Sequence, residues 1–148
     1  MAAALEFVKI VGGFAAGYCT HLLLNRRADL KERVAAVVAD IEELRDYGVH
    51  LWLGQIEPMN SVYVLHKIPV LSSKIGKTLP SLGQRYWTFH FDRHDLLTAL
   101  RRAITADPFG GANFAPDPAR AKSIEEDADE LIEAVRDARG RLRLVRGP

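Results

Sequence analysis

The sequence predicts an all-α fold, with an N-terminal transmembrane helix and basic junction over residues 1–28 and a cytoplasmic helical bundle over residues 29–148. Three observations predict it. Residues 10–24 (IVGGFAAGYCTHLLL) contain no Asp, Glu, Lys or Arg. Two later stretches repeat apolar residues at alternating four- and three-residue intervals, the period of one helix face. A Pro/Gly-rich segment, residues 107–117, separates the last of these stretches from what precedes it. The length of 148 residues, with 48% apolar and 26% charged side chains, suits one globular domain or two at most. That composition excludes a disordered chain, and the length excludes an enzyme with separate cofactor and substrate domains. The single cysteine, Cys19, excludes an internal disulfide framework and a multi-cysteine zinc site.

The first element is the apolar run. Its fifteen charge-free residues cover about 22 Å as a helix, and extension back to Ala2, through Glu6 and Lys9, gives a length that spans the ~30 Å hydrocarbon core. Arg26, Arg27, Lys31 and Arg33 follow the run, against Lys9 alone at its start. By the positive-inside rule this orients the N-terminus outside a bacterial inner membrane and the body in the cytoplasm. A cleaved signal peptide requires a basic start, and this one is Met-Ala-Ala-Ala; Tyr18 is too bulky to precede a lipoprotein cysteine. A buried helix remains the competing reading. Gly13 and Gly17 stand four apart and permit close helix packing, while Thr20 and His21 are pore-facing candidates if copies associate; His21 equally suits the headgroup level.

Residues 29–53 follow as a long helix on the stripe Leu30, Val34, Val37, Ile41, Leu44 and Leu51, with Gly48 at one expected apolar position. A bend is expected near 25–29, and Glu57 to Asn60 read as the terminating turn. The next element is a helix over about 61–67, broken by Pro69 and followed by a second short helix; the β-branched content of VYVLHKIPVL leaves a strand open. Ile75-Gly76-Lys77-Thr78 looks like the end of a phosphate-binding loop, but Leu71 stands where that loop needs its first glycine, which excludes a nucleotide hydrolase.

Tyr86, Trp87, Phe89 and Phe91 interleave with Arg85, His90 and Arg93. This is either base-stacking and cation–π chemistry or a set of rings anchoring the core. His90 and His94, with Asp92 and Asp95, read better as the start of a helix over 93–105, capped by Asp92, than as a metal site. Asp117 caps a last helix that begins at Pro118 and carries the stripe Ile124, Ala128, Leu131, Val135, Ala138 and Leu142.

Charge is uneven along the chain: residues 54–105 hold seven basic against three acidic side chains, +4, flanked by acidic stretches of −3 (residues 29–53) and −2 (residues 106–148). Either the acidic helices neutralise the basic one, or the basic middle is an anion-binding face. In the second case the candidate ligand contacts are Lys74, Lys77, Arg85, Trp87, Arg101 and Arg102, and the ligand is a nucleotide or single-stranded oligonucleotide. No nucleophile with an orienting base and no paired carboxylates emerge, so neither catalysis nor a cofactor or metal is expected.

An N-terminal apolar helix, a basic junction and a compact helical body resemble, in layout, the small single-pass membrane effectors of bacterial anti-phage defence. Among these the layout is most similar to the channel-type effector of the Hailong type, which accompanies a nucleotidyltransferase. That resemblance implies a homo-oligomer whose body binds a nucleic-acid or nucleotide signal and whose membrane helices form an ion channel. It rests on layout alone and carries over no residue. A membrane-anchored adaptor or scaffold without channel activity, and a soluble all-helical protein, fit the same sequence.

Overall fold

The computed structural model describes residues 2–56, 58–106 and 115–139, with side chains described over 17–56, 62–106 and 115–139. The described residues form four helices: α1 (Ala2–Trp52), α2 (Pro58–Arg85), α3 (His94–Thr105) and α4 (Pro118–Asp137). No strand occurs among them; Phe89 and Arg139 form an isolated antiparallel bridge. The all-α expectation holds. The chain divides into two compact units, residues 1–33 and 34–148.

No helix among the described residues is long and apolar enough to cross a membrane. This overturns the expected transmembrane helix and the single-pass inner-membrane location. The physical reason lies in the run itself. Its charge-free part is about 22 Å long against a ~30 Å core, and lengthening it takes in Glu6 and Lys9 or Arg26 and Arg27.

In the first unit, the side chains of residues 17–28 are exposed. Asp29 and Arg33 form an i,i+4 ion pair at 2.9 Å. The expected bend at 25–29 does not end the helix, since α1 is continuous from Ala2 to Trp52. The surroundings of Gly13 lie outside the described residues.

The second unit packs around one core. The predicted stripe on α1 is buried at Val34, Val37, Ile41, Leu44 and Leu51, with Val38 and Trp52 added. α2 buries Val64, Ile68, Leu71, Ile75, Leu79 and Leu82 on the same four-three spacing. It continues through Pro69 and Pro80, so neither the predicted break nor the strand occurs. Both prolines lie on the exposed side, where water can take the carbonyls left without donors at Leu65 and Gly76. α3 buries Leu96, Leu97, Leu100 and Ile104, as predicted. α4 buries Ile124, Ala128, Leu131 and Val135, with Ala138 at its cap; Leu142 lies outside the described residues.

Helix ends confirm one expected cap and correct another. The Asp117 carboxylate accepts the Arg120 N–H at 3.1 Å, and Pro118 opens α4. At α3 the cap position belongs to Arg93, with no capping side chain, rather than to Asp92. α1 stops not at residues 57–60 but at Gly54, whose φ of +69° suits only glycine without strain. Trp52 then ties three elements together. Its indole Nε1 donates to the Ile104 carbonyl at 2.9 Å, its own carbonyl accepts from Asp117 N at 2.7 Å, and the Arg120 guanidinium lies 4.2 Å from its ring.

Candidate functional site

α2 contains Lys67, Lys74, Lys77 and Arg85 and no acidic residue in 28 positions. Because its apolar residues occupy one face, these cations fall on the solvent side. Lys67 lies 5.3 Å from the ring of Tyr63, and its hydrogen bond to the Tyr63 hydroxyl raises the ammonium's pKa. Lys74 is not free for a ligand: its ammonium meets Asp40 of α1 at 2.6 Å. Arg85 lies over the ring of Tyr86 at 5.6 Å. α3 is adjacent, since a Cβ built on Gly76 would stand 3.6 Å from Leu97. Arg101 and Arg102 are exposed on α3.

The aromatic cluster divides sharply. The Phe89 N–H donates to the Tyr86 carbonyl at 3.0 Å, which closes a tight turn with Trp87 and Thr88 at its centre. Tyr86, Phe89 and Phe91 are buried, so three rings anchor the core. Trp87, at the corner of the turn, is 60% exposed. Of the six candidate ligand contacts, the structure thus places Lys77 and Arg85 on one helix face with Trp87 two residues beyond, ties Lys74 to Asp40, and puts Arg101 and Arg102 on the neighbouring helix.

A cavity of about 290 Å³ lies elsewhere, between the segment before α3 and the face of α4. His90, Asp92, Arg93, Glu130, Glu133 and Asp137 line it. Arg93 bridges Asp95 at 3.3 Å and Glu130 at 3.1 Å, and its hydrogen bond holds the Asp95 carboxyl below the usual carboxylate range. The lining is mostly acidic, the wrong sign for a phosphate. Sequence reasoning missed this cavity, although Glu130, Glu133 and Asp137 recur at helical spacing and their shared face was legible. Among the described residues no three His, Cys, Asp or Glu side chains are grouped to hold a metal ion.

Exposed apolar side chains occur on α2, at Val62, Tyr63 and Val70, and on α1. Tyr18, Leu22, Leu23 and Leu24 are 44–65% exposed. Gly17 has no atom within 4 Å of where a Cβ would stand, and Cys19, Thr20 and His21 are exposed beside it. No family model matches the chain, and no curated protein or solved structure matches it, so nothing from known proteins bears on the resemblance in layout.

Proposed function

We propose that this chain is a helical interaction module, a scaffold or adaptor without channel or catalytic activity, that docks a partner through the exposed apolar segment of α1. The observation that carries this reading is the exposure of Tyr18, Leu22, Leu23 and Leu24 within seven consecutive residues. Scattered single apolar residues are normal on a protein surface, whereas a contiguous group marks an interaction site. The test is the size of the native complex in cell extract, followed through a tag at the C-terminus. The wild-type chain is expected well above its own 16.5 kDa. The double variant Leu22→Glu/Leu23→Glu, in which glutamate preserves helix propensity, is expected near its own mass with unchanged thermal melting. Equal sizes for the two chains would overturn the reading.

A second reading, compatible with the first, is favoured by Trp87: an exposed indole beside an acid-free basic helix suits an anionic ligand with bases to stack. Single-stranded oligonucleotides titrated by fluorescence anisotropy at two salt concentrations test it. Lys77→Ala and Arg102→Ala are expected to weaken binding and flatten its salt dependence by about 0.7 units of slope per lost phosphate contact. Trp87→Ala is expected to cost about 1–3 kcal/mol of binding at constant slope. It should leave the melting temperature unchanged, because an exposed ring supports no core. Absence of binding at low salt removes this reading.

A further inference from the structure

The solvent side of α2 combines apolar and cationic side chains in a fixed arrangement. At about 100° per residue, the buried residues Val64, Ile68, Leu71, Ile75, Leu79 and Leu82 fall on one narrow face, and Val62, Tyr63, Val70 and Lys77 fall on the arc opposite. Val62 is 67%, Tyr63 54% and Val70 59% exposed, so apolar groups are among the outermost on the helix. Lys67, Lys74 and Arg85 share one flank of that arc, and α2 has no acidic residue. Trp87, also exposed, stands two residues past the helix end. We propose that this face of α2 docks on an anionic phospholipid surface, with the helix lying in the headgroup plane; the proposal goes beyond both readings above.

Charge complementarity gives the sign of the partner, since α2 carries four cations and no acid in 28 residues. The apolar arc decides between anionic partners. A phosphate backbone is charged along its whole length and offers nothing to Val62 and Val70, whose outermost positions would hold it away from the flanking cations. A lipid surface takes both kinds of side chain. The boundary between headgroups and acyl chains accepts valine, tyrosine and indole, while the long stems of Lys67 and Lys74 let their ammoniums reach lipid phosphates from the flank. The Lys74–Asp40 pair does not oppose this, because its lysine side is exposed and an exposed pair is weak. Shape favours the same partner. The outer side of one helix is a ridge; a helical peptide is held in a groove, whereas a lipid layer deforms around a ridge. The contact is peripheral, because no helix among the described residues is long and apolar enough to cross a membrane.

Trp87 supplies the reporter, because Trp52 is buried and Trp87 faces water. The experiment follows co-sedimentation and tryptophan emission of the full-length chain with three probes: vesicles of phosphatidylglycerol and phosphatidylcholine in equal parts, vesicles of phosphatidylcholine alone, and oligothymidylate. The chain is expected to sediment with the anionic vesicles, its emission moving to shorter wavelength, and added salt should weaken both effects. Val62→Gln/Val70→Gln is expected to lose several-fold in vesicle affinity with salt dependence and melting temperature unchanged. Lys77→Gln is expected to bind about five-fold more weakly. Leu22→Glu/Leu23→Glu is expected to bind vesicles as the wild type does; loss of binding there puts the lipid contact on α1 and overturns the proposal. Failure to sediment with anionic vesicles overturns it, as does equal binding to the neutral ones. Sedimentation with unmoved emission places the contact away from Trp87 and overturns it too. Emission that responds to oligothymidylate and not to vesicles overturns it and leaves the oligonucleotide reading standing. The wild-type series decides the matter even if a variant fails to fold.

Discussion

At the scale of single residues, Gly48 shows how packing replaces a predicted side chain. Its position on the α1 stripe calls for an apolar residue, yet an added Cβ would stand 2.8 Å from Ile104 Cγ1 and 3.2 Å from Ile124 Cγ2. Both isoleucines are fully buried, so neither can yield easily. Gly48→Ala gains about 1 kcal/mol in helix propensity, but overpacking is expected to outweigh it, with a net loss of up to about 2 kcal/mol in urea denaturation. Adding Ile104→Val, which removes the Cδ1 atom 3.1 Å from the built Cβ, should recover part of the loss. No recovery would place the clash at Ile104 Cγ1, which valine keeps, or at Ile124 Cγ2. Asp117 and Pro118 were readable as a helix start because capping is local chemistry. Trp52 was not, because its partners Ile104 and Arg120 lie far away in sequence.

At the scale of elements, α2 is the instructive case. Two prolines suggested two short helices, but six buried apolar residues at four-three spacing hold one helix together. A proline inside a helix costs about 3 kcal/mol, which burial of that many aliphatic side chains offsets. Pro80→Ala restores an N–H able to bond the Gly76 carbonyl. It is expected to raise stability by up to about 3 kcal/mol, read from the urea midpoint. A loss would mean that Leu79 and Leu82 need the proline's local geometry to reach the core. The spacing of the stripe was visible in the sequence; its strength against proline was not, since that depends on what the stripe packs against.

At the scale of the whole molecule, the charge distribution serves both folding and surface chemistry. The acidic and basic stretches do pair, through Lys74–Asp40 at 2.6 Å and Arg93–Glu130 at 3.1 Å, while Lys77, Arg101 and Arg102 are left for solvent. The acidic excess on α4 has a measurable consequence at Asp127. Partial burial, followed by repulsion from Glu130 and Glu126, raises its pKa. A carboxyl that binds its proton more tightly when folded destabilises the fold once it ionises. The penalty is full above the raised folded value and absent below the unfolded value near 4. Asp127→Asn is therefore expected to raise the melting temperature slightly at pH 7, by an effect within about 0.5 kcal/mol, and to have no effect at pH 3. A gain that persists at pH 3 would assign the effect to packing rather than charge.

The sequence by itself determined the helical class, the stripes on α1, α3 and α4, and the start of α4. Each of these depends on residues within a few turns of one another, where spacing and capping act directly. Tertiary structure decided which aromatic rings are core and which one faces water, because the turn from Tyr86 to Phe89 aims them. It decided that Lys74 is spent on Asp40, that Gly48 sits where Ile104 and Ile124 meet α1, and that an acidic cavity forms beside Arg93. These are meetings between distant segments, whose distances are set by how whole helices pack and not by any local pattern.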